Sequence, residues 1–147
     1  MNSVNLPPCT PVPLTSGGLV LPLAGQSVHA GFPSPADDFL VKRIDLNSVL
    51  ITHPQATFVV RVAGESMRDL GIYDRDLLVV NRAIRPQHGH IVVAVVDGEF
   101  AVKLLHLRAG RMKLKAGNPT YPEIIPSDGQ TIEIWGVVTS CIKQFRQ

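Results

Sequence analysis

Ile91-Val92-Val93-Ala94-Val95-Val96-Asp97-Gly98-Glu99-Phe100-Ala101-Val102-Lys103-Leu104-Leu105-His106-Leu107 is the stretch whose reading decides the fold. Two apolar runs flank Asp97-Gly98, a dipeptide that readily adopts the positive φ angles of a tight hairpin turn. The pattern predicts antiparallel strands over 91–96 and 99–107. In the second strand a period of two places Ala101, Lys103, Leu105 and Leu107 on one face. Three of those four are apolar, so the face is expected to pack inward and to take Lys103 with it. A buried lysine is rare and costly. Desolvation disfavours its ammonium form and lowers its pKa, and a lysine that is neutral near pH 7 can serve as a general base.

Working outward, further strands are predicted at Thr57–Val62, Leu77–Asn81, Met112–Lys115, Thr131–Trp135 and Val137–Lys143, with turns near 64–66, 74–76 and 86–90. Short strands at this spacing predict a mainly β fold: a compact single domain of mostly antiparallel strands folded over on themselves. Short helices are expected near 35–50. Ser34-Pro35-Ala36-Asp37 reads as a helix start running to about Ile44, and Asp45 as the cap of a second short turn through Leu50.

Residues 1–35 contain no Asp, Glu, Lys or Arg and hold seven of the twelve prolines. Each proline fixes φ and removes a backbone donor, so this segment is neither a helix nor a central strand. It is too apolar for a charged disordered tail and is read as an extended N-terminal arm. Within it, Ala30-Gly31 has small side chains that allow close approach of the backbone to another surface.

The length of 147 residues suits one domain with a sizeable core. A net charge of +2 does not announce a nucleic-acid protein. Arg111, Lys113 and Lys115 alternate onto one strand face, which is read as solvated because no aromatic residues interleave them. Two cysteines, Cys9 and Cys141, suit a reducing cytosol rather than a disulfide scaffold. No apolar run reaches a membrane span. Small residues at Val28-His29-Ala30 invite a signal-peptide reading, but the start lacks positive charge and Pro22 interrupts Leu19–Ala24. A cytoplasmic protein without cofactor or membrane contact is expected.

Gly64-Glu65-Ser66-Met67 offers the partner for Lys103. A serine hydroxyl is a weak nucleophile until a neighbouring base takes its proton. Backbone N–H groups of Ser66 and Glu65 are candidate oxyanion donors, and Met67 an apolar wall. Glu65, Asp69, Asp74 and Asp76 are read as turn residues. A Ser-His-Asp triad is the rival arrangement. However, Arg68 breaks the G-x-S-x-G elbow, and the histidines at 29, 53, 88, 90 and 106 are scattered. His88-Gly89-His90 lacks a third metal ligand at a usual spacing and is read as a turn.

Taken in order, Ala30-Gly31-Phe32-Pro33-Ser34-Pro35-Ala36-Asp37, Arg43-Ile44-Asp45-Leu46-Asn47, Gly64-Glu65-Ser66-Met67, His88-Gly89, and Val96-Asp97-Gly98-Glu99-Phe100 with Val102-Lys103 resemble the LexA/UmuD family of self-cleaving serine peptidases. The resemblance implies Ser66 as nucleophile, Lys103 as general base and Ala30-Gly31 as the bond the protein cuts in itself. It divides the chain into an arm, 1–30, removed by self-cleavage, and a peptidase and dimerisation body, 31–147. It further implies a role in the SOS response to DNA damage. There, a RecA filament on single-stranded DNA stimulates cleavage, and the shortened homodimer partners an error-prone translesion polymerase of the UmuC type. Ala-Gly stands where UmuD-type proteins often have Cys-Gly. A non-catalytic polymerase-accessory module of the same fold is the alternative. A repressor is disfavoured, because 29 proline-rich residues cannot hold a helix-turn-helix domain before the cut. A signal peptidase of similar dyad chemistry would need a membrane anchor.

Overall fold

The computed structural model describes residues 18–25, 27–31, 42–127 and 129–147. The chain divides into two compact units, one within residues 12–52 and one comprising residues 53–147. Among the described residues, both contain antiparallel β-sheet and few, short helices, as the hairpin and turn spacing predict for a mainly β chain.

In the first unit, β1 (Val20–Leu23) pairs with β2 (Lys42–Asp45). A sheet of two strands has only edges, which is where Pro22 is tolerated. The helix expected from Ser34 falls largely outside the described residues. Its described end, Lys42–Ile44, is strand instead, because Arg43 and Ile44 pair with Pro22 and Leu21. The second expected turn is present. Asp45 accepts hydrogen bonds from the Asn47 N–H at 3.0 Å and the Ser48 hydroxyl at 3.1 Å, capping α1 (Leu46–Leu50).

The second unit holds a six-stranded sheet made of β3 (Thr57–Arg61), β4 (Leu77–Asn81), β5 (Ile91–Val96), β6 (Glu99–Arg108), β7 (Arg111–Lys115) and β8 (Ile132–Ile142). The spatial order is β3-β4-β8-β5-β6-β7. Asp97 and Gly98 turn the β5–β6 hairpin with φ of 48° and 84°, the geometry that matches strand twist. The two strands expected at 131–135 and 137–143 are one. β8 runs through Gly136, which pairs with Val93, and absorbs the irregularity in two bulges. Against β5 the register jumps from Gly136 to Ile134, leaving Trp135 extra; against β4 it jumps from Ser140 to Val138, leaving Thr139 extra.

Alternation along β4 and β5 feeds apolar side chains to both faces of this sheet. Met67, Ile72, Leu78, Val80 and Val93 belong to one buried cluster, and Val92, Ala94, Leu105, Leu114 and Val137 to another. On β6 the expected inward face holds at Lys103 and Leu105, which are buried. It fails at Leu107, which is 40% exposed, because β5 pairs with β6 only as far as Leu104.

Candidate active site

Beyond β3 the chain turns at Gly64, whose φ of 94° excludes most side chains. Asp74 holds this turn: its Oδ1 accepts the Gly64 N–H at 2.8 Å. Two backbone bonds of 2.8 Å, from the Val62 N–H to the Asp76 carbonyl and from the Arg75 N–H to the Val62 carbonyl, bind the same segments together.

A second support comes from residues 117–118. The buried Asn118 amide donates to the Glu65 carbonyl at 3.0 Å. The Asp69 N–H donates to the Gly117 carbonyl at 2.6 Å, and the Gly117 N–H points at the Met67 sulfur, 3.4 Å away. Gly117 permits this approach because a Cβ there would lie 2.9 Å from Leu70 Cγ and 3.2 Å from Met67 Cα. Ser66 is thereby fixed, half-buried, between an exposed Glu65 and Met67, only 2% exposed and set in the wall as expected. Among the described residues, nothing accepts the N–H groups of Glu65 or Ser66. They can donate to an incoming oxygen.

Lys103 stands opposite Val92 in the β5–β6 ladder and is 8% exposed. Among the described residues no carboxylate pairs with it. Its Nζ lies 5.9 Å from the centre of the Tyr121 ring, a weak cation–π contact. Burial pushes its pKa below the ordinary lysine value.

Ser66 and Lys103 line the same cleft, of about 430 Å³. Val60, Met67, Phe100 and Trp135 supply apolar wall. The bulge at Trp135 sets its ring against Phe58 at 5.2 Å and edge-on to Phe100 at 5.7 Å, with the Arg82 guanidinium over it at 4.7 Å. Such a cleft suits an extended, small-residue peptide lying between a serine and a buried lysine. Ala30 and Gly31 belong to the unit within residues 12–52, where both are exposed and nothing lies within 4 Å of a Cβ at Gly31.

The other polar residues are placed differently. Glu65 and Asp69 are exposed, as turn residues should be. Asp76 is not a solvated turn residue: it is buried and bonded to the Lys143 ammonium, the Cys141 thiol and the Tyr73 N–H. Burial alone would raise its pKa, but Lys143 and the other donors outweigh it and hold the carboxyl below its usual range. His88 and His90 are turn histidines whose Nδ1 atoms accept the Leu107 and Gln87 N–H groups, each at 3.0 Å. Asp74 is a turn residue as read, but its hold on Gly64 escapes the sequence reading, as do the roles of Gly117, Asn118 and Trp135. Of these last three, only Asn118-Pro119 carries a local signal, that of a turn.

A family model described as Peptidase S24-like matches residues 22–139. The chain belongs to the Peptidase S24-like family. It is 46% identical over 129 residues to Protein ImpA of Escherichia coli, covering 87% of each chain. It is 45% identical over 125 residues to Protein SamA of Salmonella typhimurium, covering 85% of this chain and 86% of that one. A LexA repressor of Syntrophotalea carbinolica is 38% identical over 134 residues, covering 88% of this chain and 62% of the repressor. The LexA/UmuD resemblance carried by the ordered motifs is therefore borne out. Among the described residues, no helix of this S24-like chain is long and apolar enough to cross a membrane.

Proposed function

We propose that this S24-like chain is a self-cleaving serine peptidase with a Ser66–Lys103 dyad that cuts its own Ala30-Gly31 bond in the SOS response. Family membership and the ImpA and SamA relatives support an SOS-related self-cleaving role. The observation that carries the dyad is a buried lysine, without a described counter-charge, on the wall of the cleft that Ser66 also lines.

Neutral Lys103 takes the Ser66 proton as Oγ attacks the Ala30 carbonyl carbon. The oxyanion is met by the N–H groups of Ser66 and Glu65. Lys103, now an ammonium, returns the proton to the departing Gly31 amine. Water then attacks the Ala30 ester with Lys103 again as base. Cleavage removes the arm, 1–30, and leaves a body of residues 31–147, a cytoplasmic homodimer. A RecA filament on single-stranded DNA stimulates the reaction, and the body serves a UmuC-type error-prone polymerase.

Incubating the purified chain and sequencing the product tests this. A new N-terminus at Gly31 is expected, absent in Ser66→Ala. An intact chain under all conditions, with and without RecA filaments, would instead favour a non-catalytic polymerase-accessory module. A Gly31 fragment from Ser66→Ala would overturn the nucleophile.

A further inference from the structure

β6 and β7 pair over five rungs, from Leu104 opposite Lys115 to Arg108 opposite Arg111. β5 pairs with β6 only to Leu104. Beyond it, Leu105–Arg108 and Arg111–Leu114 form a two-stranded ribbon, flanked by the 88–90 turn through the Gly89 N–H to Leu105 carbonyl bond of 2.8 Å. Ala109 and Gly110, with φ of 51° and 72°, close its tip.

Alternation makes the ribbon amphipathic. Leu105, Leu107, Met112 and Leu114 fall on one face, and His106, Arg108, Arg111, Lys113 and Lys115 on the other. His88 joins the second face, its Nε2 3.2 Å from the Arg108 guanidinium and its ring edge-on to His106 at 4.9 Å. The sequence reading expects the β7 cations alone, as a solvated row. The register sets one further permanent cation, Arg108, and His106 beside them.

Glu123 is the carboxylate that answers this face, 4.0 Å from Lys113 and 3.6 Å from Lys115. Four permanent cations against one carboxylate give a net +3, more than the +2 of the whole chain, so the remainder is slightly acidic. Arg108 directly opposite Arg111 is a like-charge pair, which destabilises an antiparallel ladder. Burial lowers the His106 pKa first, and Lys115, His88, Lys113 and Arg108 nearby lower it further. The fold therefore maintains a positive row on β7, only partly answered by Glu123, with a repeat of about 7 Å and with Arg108 beside it.

We propose that the cationic face of the β6–β7 ribbon binds the phosphodiester backbone of a single-stranded nucleic acid. Regularly repeated phosphates match the regularly repeated cations. A flexible strand can follow a short row of three cations with Arg108 at its side, whereas a rigid duplex backbone curves away from it. Phosphate contacts of this kind carry no sequence preference.

Anisotropy of a labelled 20-nucleotide oligo-dT, titrated with the full chain carrying Ser66→Ala, is the test. Binding should weaken as salt rises, with a log–log slope near −3 if all four cations contact phosphates. Arg111→Glu with Lys113→Glu should reduce affinity at least tenfold and flatten the slope by about 1 or more. The same pair, placed in the chain with Ser66, should cleave itself at the unaltered rate. Arg75→Glu, at a cation whose side chain is 88% exposed, should leave binding unchanged. The proposal is overturned if the paired reversal does not affect binding or if Arg75→Glu weakens it equally. It is also overturned if duplex DNA binds as tightly as oligo-dT, or if polyglutamate competes as well, which would mark a site for an acidic protein.

Discussion

Ser66 and Lys103 face the same cleft, yet they are held there by opposite means. Ser66 sits on a loop anchored in the core by Met67 and otherwise tied by polar contacts to Asp74 on one side and to Gly117 and Asn118 on the other. Lys103 is carried by a ten-residue strand that β5 pairs as far as Leu104 and β7 pairs from there on, with Val92 opposite Lys103 and Leu105 two residues on. A strand fixes a side chain through many small packing terms, and no single one is decisive. A tied loop depends on a few hydrogen bonds, each contributing about 1 kcal/mol, and a displacement near 1 Å can cost about a hundredfold in rate. In the proposed dyad the nucleophile is thus the adjustable member and the base the rigid one.

Substituting the base should give the largest effect. Lys103→Met is expected to slow self-cleavage by at least about a thousandfold, read from the rate at which the Gly31 N-terminus appears. The same change should stabilise the body at neutral pH by roughly 1–3 kcal/mol, because it removes a buried charge. The sign follows from linkage. Burial lowers the Lys103 pKa in the folded chain, so the folded state binds fewer protons than the unfolded state between the lowered and the ordinary value. The penalty is full below the lowered pKa and vanishes above the ordinary one. Urea midpoints of the two proteins at pH 7 and pH 11 should therefore differ at the first and converge at the second.

Loosening the loop should cost less. Asn118→Ala removes the donor to the Glu65 carbonyl and is expected to slow cleavage about a hundredfold, with the pH profile of the remaining activity unmoved. A shifted profile would mean that Asn118 acts on the base instead of positioning the serine. Asp74→Ala leaves the Gly64 N–H without its acceptor while the neighbouring backbone bonds persist. About a tenfold loss is expected, with about 1 kcal/mol of stability.

The smallest catalytic effect belongs to Asp76→Asn. Asp76 bonds to Lys143 and Cys141 beneath the same turn, so cleavage should change less than threefold while about 2 kcal/mol of stability is lost. Because the folded Asp76 pKa is depressed, its contribution is present above the ordinary carboxylate value and fades as pH falls through the lower, folded one. Acid titration of the variant should lack that fading.

Much of this contrast was legible in the sequence, on the strand side. Asp97-Gly98 and the alternation at 99–105 located the β5–β6 hairpin and buried Lys103, because turn chemistry and a period of two are local properties. Leu107 departed from the pattern because its burial depended on where β5 stops. Lys42–Ile44 became strand because a partner at 20–23 was available, which no local helix signal reveals. The merging of 131–135 with 137–143 likewise rests on the neighbours that pair across Gly136. At the loop the sequence offered Ser66 and its glycine but not their supports. Asp74 lies ten residues from Gly64 and Asn118 lies 53 from Glu65, and they meet the loop through the pairing of β3 with β4 and the chain beyond β7. Asp76 looked like any turn acid because its partner, Lys143, lies at the far end of β8.

The rate of self-cleavage as a function of pH tests the dyad most directly. Measured from pH 6 to 11 without any activator, the rate should rise tenfold per unit, then level off below the ordinary lysine value of 10.5, since burial lowers the Lys103 pKa. Lys103→Arg, whose guanidinium keeps its proton throughout, should be inactive across the range. A flat profile, a rise that continues through 10.5, or an active Lys103→Arg protein would contradict Lys103 as the buried base of Ser66.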